Sequence, residues 1–249
     1  MRIALFVTCL NDTFYPRTGI AVVKVLEKLG CEVEFPKAQT CCGQPMWNNG
    51  FTPEARVLAR KMITVFEEAQ YVVTPSGSCA AMVREHYEQA FEHDAVWRDR
   101  ARRLAAKTYE FVEFLDRVLK VDLTELGVRW EGKAAYHYSC HLRALGIKAD
   151  DPQRIMRQVE GLDVMPLDKQ EQCCGFGGTF AMKYPDISGA MVNDKVSCIQ
   201  AADCDAVISN DAGCTMNIAG ACRRAGEAKR FITLAEVIAE GMGLMDKGE

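Results

Sequence analysis

The sequence predicts an α/β protein made of two tandem, pseudo-symmetric units with mostly parallel sheets. Three observations carry that reading. Eight of the twelve cysteines fall into one pattern used twice: Cys9, Cys41-Cys42-Gly43 and Cys79, then Cys140, Cys173-Cys174-Gly175 and Cys214. Thirty-one residues separate Cys9 from Cys41 and thirty-two separate Cys140 from Cys173, while thirty-six separate Cys42 from Cys79 and thirty-nine separate Cys174 from Cys214. Residues 71–79 and 206–214, YVVTPSGSC and AVISNDAGC, align without a gap. Short apolar runs also alternate with helical periodicity between Gly and Pro breaks, as in strand–helix units around a parallel sheet.

Each element follows from its local pattern. Residues 2–8 are rich in Ile, Leu, Phe and Val and read as a buried strand ending at Cys9. Ile20, Val23, Leu26 and Leu29 recur at helical spacing and Gly30 stops the helix. Residues 32–35 form a second strand, the Cys-Cys-Gly loop follows, and Pro53 opens a helix to about residue 69. Residues 71–74 make a third strand, with Cys79 just beyond it. The second half replays the order: a strand at 134–139 ending at Cys140, a helix opened by Pro152 and stopped by Gly161, a strand at 163–167, a helix at 187–201 and a strand at 206–209 before Cys214. Residues 95–119 read as one or two helices and residues 234–242 as a last short helix. The expected division is a first cysteine-rich repeat at 1–94, a helical connector at 95–132, and a second repeat with its C-terminal helix at 133–249.

Composition narrows the function classes. About half of the 249 residues are apolar, enough for a full core, and a net charge of −4 argues against nucleic acid as the main partner. The one basic cluster, Arg98, Arg100, Arg102 and Arg103, reads as the wet face of a helix. No run approaches the roughly 18 apolar residues of a membrane span, and the first residues lack a signal-peptide cleavage pattern. The expectation is a cytoplasmic protein, where many cysteines mean metal ligands or redox groups more often than disulfides.

Thiolates gathered in fours suit soft metals: a 4Fe–4S cluster, one or two in number, or alternatively an all-cysteine zinc site. Neighbouring side chains of an extended chain point to opposite faces, so both members of a Cys-Cys pair reach one centre only where the backbone turns. Gly43 and Gly175 permit that turn, and Gly177 and Gly178 let the second loop approach a cofactor closely. The eight paired cysteines are therefore the expected metal ligands and these four glycines the expected cofactor-binding positions. A thiol–disulfide protein using the vicinal cysteines is a further alternative. Cys31, Cys198, Cys204 and Cys222 stand outside the repeat and read as core. His137 and His141 flank Cys140 and read as packed or surface side chains, with an outer donor or unusual ligand as the other reading. His86 and His93 read as surface. No nucleophile elbow, phosphate loop or dinucleotide fingerprint is present, so no catalytic residue is assigned and the chain reads as an electron carrier. Phe176, Phe180, Met46 and Trp47 flank the two Cys-Cys-Gly loops and are the expected docking residues for a partner, with loop-anchoring core as the other reading.

The two Cys-Cys-Gly motifs resemble the cysteine-rich domain family, which includes the B subunit of heterodisulfide reductase and the iron–sulfur subunits of glycolate oxidase and anaerobic glycerol-3-phosphate dehydrogenase. The stretches LFVTCLND, TCCGQP, TPSGSC, CCGFGGTFAMK and CTMNIAG look like the lactate-utilization members of that family, and the likeness covers essentially the whole chain. It implies a subunit of a three-protein complex that oxidises L-lactate to pyruvate. Its implied partners are a larger ferredoxin-like iron–sulfur subunit and a third lactate-utilization subunit. One departure stands out. The fuller motif ends in C-x-x-C, where this chain has Met82 and Asn217. Thioether and amide replace thiolate poorly, which leaves four thiolates for an ordinary cubane or a modified cluster.

Overall fold

The computed structural model describes residues 1–248, which form two four-stranded sheets. The first holds β1 (Arg2–Leu5), β2 (Glu32–Glu34), β3 (Tyr71–Thr74) and β4 (Thr108–Glu110) in the order β2-β1-β3-β4. The second holds β5 (Arg129–His137), β6 (Glu160–Met165), β7 (Ala206–Ser209) and β8 (Arg230–Ile232) in the matching order β6-β5-β7-β8. Every neighbouring pair is parallel. Ile3 pairs with Tyr71 as Ala134 pairs with Ala206, so the registers of the two sheets correspond residue by residue.

Strand alternation sorts the side chains into three apolar layers. Ile3, Leu5, Val73, Ala134, Tyr136 and Ile208 face one shared central core. They pack there with Val22 and Leu26 of the helix Pro16–Lys28, with Phe111 and Phe114, and with Val237 and Ile238 of the helix Leu234–Gly241. Their strand neighbours point the other way. Ala4, Phe6 and Val72 meet the helices Thr52–Val65 and Ala95–Ala106. Ala135 and Val207 meet the helices Pro185–Ala201 and Ala212–Arg224. The repeats are thus joined through a common interior.

Several element boundaries differ from the expected ones. The first strand ends at Leu5, because Thr8 adopts φ 73° and turns the chain toward Cys9. β5 begins five residues earlier than expected and carries a register shift between Arg129 and Gly132. Residues 95–132, expected to be a helical connector, hold the helix Ala95–Ala106, then β4, then helical turns to Leu119. β8 likewise precedes the helix Leu234–Gly241. The two late segments correspond closely. Glu110 caps the turn after β4 by accepting from the Val112 and Glu113 N–H groups, and Thr233 caps the helix after β8 in a capping box with Glu236. Arg100 and Arg102 pair with Glu67 and Glu88, as a solvated face requires.

One buried ion pair ties the C-terminal helix to both repeats. The Glu240 carboxylate accepts from Arg17 at 3.3 Å, from Arg230 at 2.6 and 3.1 Å, and from Trp130 Nε1 at 3.0 Å. Burial works to raise its pKa, but the hydrogen bonds from Arg230 and Trp130 overcome that and hold it below the usual carboxylate range. Glu240→Ala would strand these donors and should cost about 3 kcal/mol in urea unfolding. Glu240→Gln keeps an acceptor for Trp130 and should cost less. An alanine variant within about 0.5 kcal/mol of the parent, the spread expected of a neutral surface change, would show that the pair is not structural.

Candidate metal centre

In an open parallel sheet, ligands gather beyond the carboxyl ends of the strands. Here β1, β3, β5 and β7 run toward Cys9, Cys79, Cys140 and Cys214. Cys9 and Cys140 open short helices. Cys79 and Cys214 sit in the first turns of helices capped by Ser76 and Asp211. Ser76 Oγ accepts from the Cys79 N–H, and Asp211 Oδ1 accepts from the Gly213 N–H. Thr8, directly before Cys9, is a non-glycine residue in a sparsely populated backbone region, which costs on the order of 1–3 kcal/mol. Its Oγ1 accepts from Asn11 Nδ2 at 3.1 Å, which holds that conformation in place.

The vicinal pairs reach their centres through the expected turn. Gly43 and Gly175 have φ values of 87° and 81°. Gly175 also has no room for a side chain, since a Cβ there would lie 2.8 Å from the Ser188 carbonyl oxygen. The turn aims the Gly43 and Gly175 N–H groups back at the Cys41 and Cys173 sulfurs, both at 3.4 Å. Gly177 and Gly178 line the cavity described below, whereas Gly43 and Gly175 lie behind it and shape the loops.

Each set gathers its four thiols. Cys9 meets Cys41, Cys41 meets Cys42, and Cys42 Sγ lies 3.5 Å from Cys79 Sγ. Cys140 meets Cys173, Cys173 meets Cys174, and Cys174 Sγ lies 3.2 Å from Cys214 Sγ. Hydrogen bonds from Cys42 and Cys9 push the Cys41 thiol far below its usual range, and bonds from Cys140 and Cys174 do the same for Cys173. The donating thiols Cys9, Cys42, Cys140 and Cys174 are raised in return. Each set is a soft, all-sulfur donor set that would release protons on taking up a metal.

Both sets face the same space, since all eight cysteines line one cavity of about 290 Å³ between the repeats. Asp211 braces its walls. Besides capping its own helix, its Oδ2 accepts from Ser78 N at 2.8 Å and Ser76 Oγ at 3.2 Å in the other repeat. Gln44 Nε2, beside the first vicinal pair, donates to Ser78 O at 3.2 Å and lies 3.3 Å from His141 Nε2, which enters from the second repeat. These bracing residues do not stand out in the sequence. The usable signal is the gapless match that sets Ser76 against Asp211, each an N-cap residue type three positions before a cysteine.

The positions where the fuller motif has cysteine take other work. Asn217 Nδ2 donates to the Cys174 carbonyl at 2.8 Å, and in the first repeat Tyr87 OH donates to the Cys42 carbonyl at 2.9 Å while Met82 packs in the core. His137 is wholly buried, and neither of its ring nitrogens has a hydrogen-bond partner among the described residues. Burial, helped by the Lys195 charge, pushes its pKa down to about 3, so the ring is neutral. His141 lies at the cavity wall with Nδ1 3.7 Å from Cys140 Sγ. His93 is exposed, whereas His86 is half-buried against Trp47. Cys31, Cys204 and Cys222 are buried and Cys198 half-buried, all apart from the cavity. Of the four expected docking residues only Met46 is exposed, while Trp47, Phe176 and Phe180 are half-buried loop anchors.

Asp211→Ala would remove one helix cap and two bonds across the cavity together. It should cost about 2 kcal/mol of stability and lower the amount of metal the protein retains. Stability and metal content both unchanged would mean that Asp211 does not brace the site.

Comparison with known proteins agrees with this geometry. The chain matches the Cysteine-rich domain family (CCG) twice, over residues 3–84 and 134–219. It is 50% identical to lactate utilization protein A of Geobacillus kaustophilus over 239 residues, 96% of this chain and 98% of that protein. Its identity to the Anoxybacillus flavithermus protein of the same name is 49%, over 96% of this chain and 99% of that one. It is 46% identical to lactate utilization protein A 2 of Bacillus cereus, over 97% and 99% of the two chains. No helix among the described residues is long and apolar enough to cross a membrane. With two matched cysteine-rich units and near full-length likeness to these relatives, the chain belongs to the CCG cysteine-rich domain family, in its lactate utilization protein A group.

Proposed function

We propose that this chain is the iron–sulfur electron-carrying subunit of a cytoplasmic complex that oxidises L-lactate to pyruvate. The observation that carries the reading is the meeting of two four-thiol sets at one cavity. The names of the relatives supply the substrate. The proposed ligands are Cys9, Cys41, Cys42 and Cys79 for the first centre and Cys140, Cys173, Cys174 and Cys214 for the second. A bound 4Fe–4S cluster supplies one-electron redox chemistry.

The chain's own groups do the rest. The thiolates carry the negative charge that holds the metal, and the Gly43 and Gly175 N–H groups partly offset it from behind the sulfurs. Buried walls around Cys42, Cys79, Cys174 and Cys214 keep water from these sulfurs. Lactate oxidation releases two electrons, and the chain has no flavin or nicotinamide fingerprint to accept a pair. Partner subunits are therefore part of the proposal: a larger ferredoxin-like iron–sulfur subunit and a third lactate-utilization subunit. Their docking face is the rim where Asn49 meets Thr179, beside the short helices that carry Met46 and Met182. Met46 is 40% and Met182 83% exposed there.

A second reading has one observation in its favour. Four thiolates 2.3 Å from a single zinc ion would stand about 3.8 Å apart, close to the 3.5 Å between Cys42 and Cys79. Anaerobic purification with iron, sulfide and zinc analysis separates the two. A brown protein with iron and acid-labile sulfide is expected; a colourless protein with stoichiometric zinc would overturn the iron–sulfur reading.

Lactate-dependent dye reduction should be absent for the isolated chain and appear when the partner subunits are added. Cys174→Ser should lower the reconstituted rate by about 100-fold or more, since even residues that only support a ligand matter by 10–100-fold, while circular dichroism stays unchanged. Full activity from the isolated chain, or from the mixture containing Cys174→Ser, would contradict an electron-carrier role.

A further inference from the structure

The duplication lets each position around one thiol set be compared with its counterpart around the other. Strand register places Phe6 opposite His137, since Ile3–Tyr71 pairing corresponds to Ala134–Ala206 pairing. The gapless match around Cys79 and Cys214 places Met82 opposite Asn217. In the helices Thr52–Val65 and Pro185–Ala201 the buried positions share one spacing, which sets Ala55 against Ser188, Ala59 against Val192, Met62 against Lys195 and Ile63 against Val196. Three apolar side chains beside the first set, Phe6, Met62 and Met82, thus become His137, Lys195 and Asn217 beside the second.

The substitutions are not passive. His137 is fully buried at the carboxyl end of β5, and neither ring nitrogen is paired. A neutral imidazole carries one donor and one lone pair, and burying both unpaired is costly. The ring has a nearby use for its lone pair, because a His137 nitrogen, Cys174 Sγ and Cys214 Sγ all lie within 4.8 Å of one another. Phe6, in the same place in the first repeat, has no donor atom and packs at a tilt against Phe66 with ring centroids 5.8 Å apart. Lys195 is also fully buried, and its ammonium donates to the Lys169 carbonyl. Burial pushes its pKa down, and Cys198, Asp194, Cys174 and Cys214 work against that. A buried ammonium with one carbonyl partner needs such anionic neighbours.

We propose that His137 supplies an imidazole ligand in place of one thiolate at the metal group of the second set (Cys140, Cys173, Cys174 and Cys214), with Lys195 as a nearby cation, and that the second site is thereby the more oxidising of the two. The proposal rests on metal binding by both sets, as argued above. A neutral nitrogen donor places less negative charge on the metal than a thiolate does, and nitrogen ligation raises cluster potentials. The cation favours the reduced form further. The first site, walled by Phe6, Met62 and Met82, has neither aid. One fold repeated twice would then hold two unequal centres across one cavity.

The test reads ligation directly. The unmodified chain, His137→Phe and His141→Phe are loaded anaerobically, and X-ray absorption is recorded at the edge of whichever metal is found. Chain labelled with 15N-histidine is examined by pulsed EPR where the metal is paramagnetic. A nitrogen shell and a histidine nitrogen coupling are expected in the unmodified chain and in His141→Phe, and both should vanish in His137→Phe. In a redox titration the two midpoint potentials should be distinct in the unmodified chain. They should converge in His137→Phe and draw closer in Lys195→Met. Should His137→Phe fail to fold, the unmodified chain and His141→Phe still decide ligation, because among the described residues His137 is the only histidine grouped with two of these thiols. Absence of any histidine nitrogen from the unmodified chain, or its loss in His141→Phe alone, would overturn the proposal. Zinc in place of iron would sink the electron-carrier reading while leaving the nitrogen shell to answer for His137.

Discussion

The Asp211 carboxylate is the contact on which the site's geometry turns. One oxygen caps the helix that carries Cys214, and the other takes hydrogen bonds from Ser76 and Ser78 beside Cys79. A single buried side chain thereby sets the two cysteine-bearing helices against each other. Without it, two similar α/β units would still have their cores, but the junction of their strand ends would lose two hydrogen bonds. The Gly77 N–H to Asn210 carbonyl bond at 3.3 Å and the packing of Leu142 against Gly77 support the same junction.

The shared apolar core makes that junction possible. Alternate residues of β1, β3, β5 and β7 face a common interior, which brings the two sheets together. Parallel order does the remainder, since all four strands deliver their following loops to one end. Thiols more than two hundred residues apart in sequence, Cys9 and Cys214, consequently line the same cavity. Several polar groups are buried without a hydrogen-bond partner among the described residues, Tyr136 OH, the Asn210 side chain and both His137 ring nitrogens among them.

Much of this is legible in the sequence, and the limits have physical causes. The bounds expected for β3 and β7 match the observed ones because a short apolar run ending in Thr or Ser sits between clear breaks. The cysteine spacing alone announces the duplication. β4 and β8 escape notice because each has only three residues, too few for a period-two pattern, and each leads at once into a capped helical segment. The strand after Met1 is shorter than its apolar run because nothing in the residue types foretells a threonine at φ 73°. The common cavity lies beyond the sequence as well, since spacing within each repeat says nothing about how two repeats face each other. The exchange of Phe6 for His137, each three residues before the first cysteine of its repeat, is legible in the sequence, whereas the approach of the ring to Cys174 and Cys214 is not.

The central claim is that both thiol sets hold metal across one cavity. Anomalous diffraction at the edge of the bound metal, from crystals of the anaerobically loaded chain, tests it most directly. The account requires two scattering centres, one ringed by Cys9, Cys41, Cys42 and Cys79 and the other by Cys140, Cys173, Cys174 and Cys214, with the cavity between them. A single centre, or metal bound away from these cysteines, would contradict it.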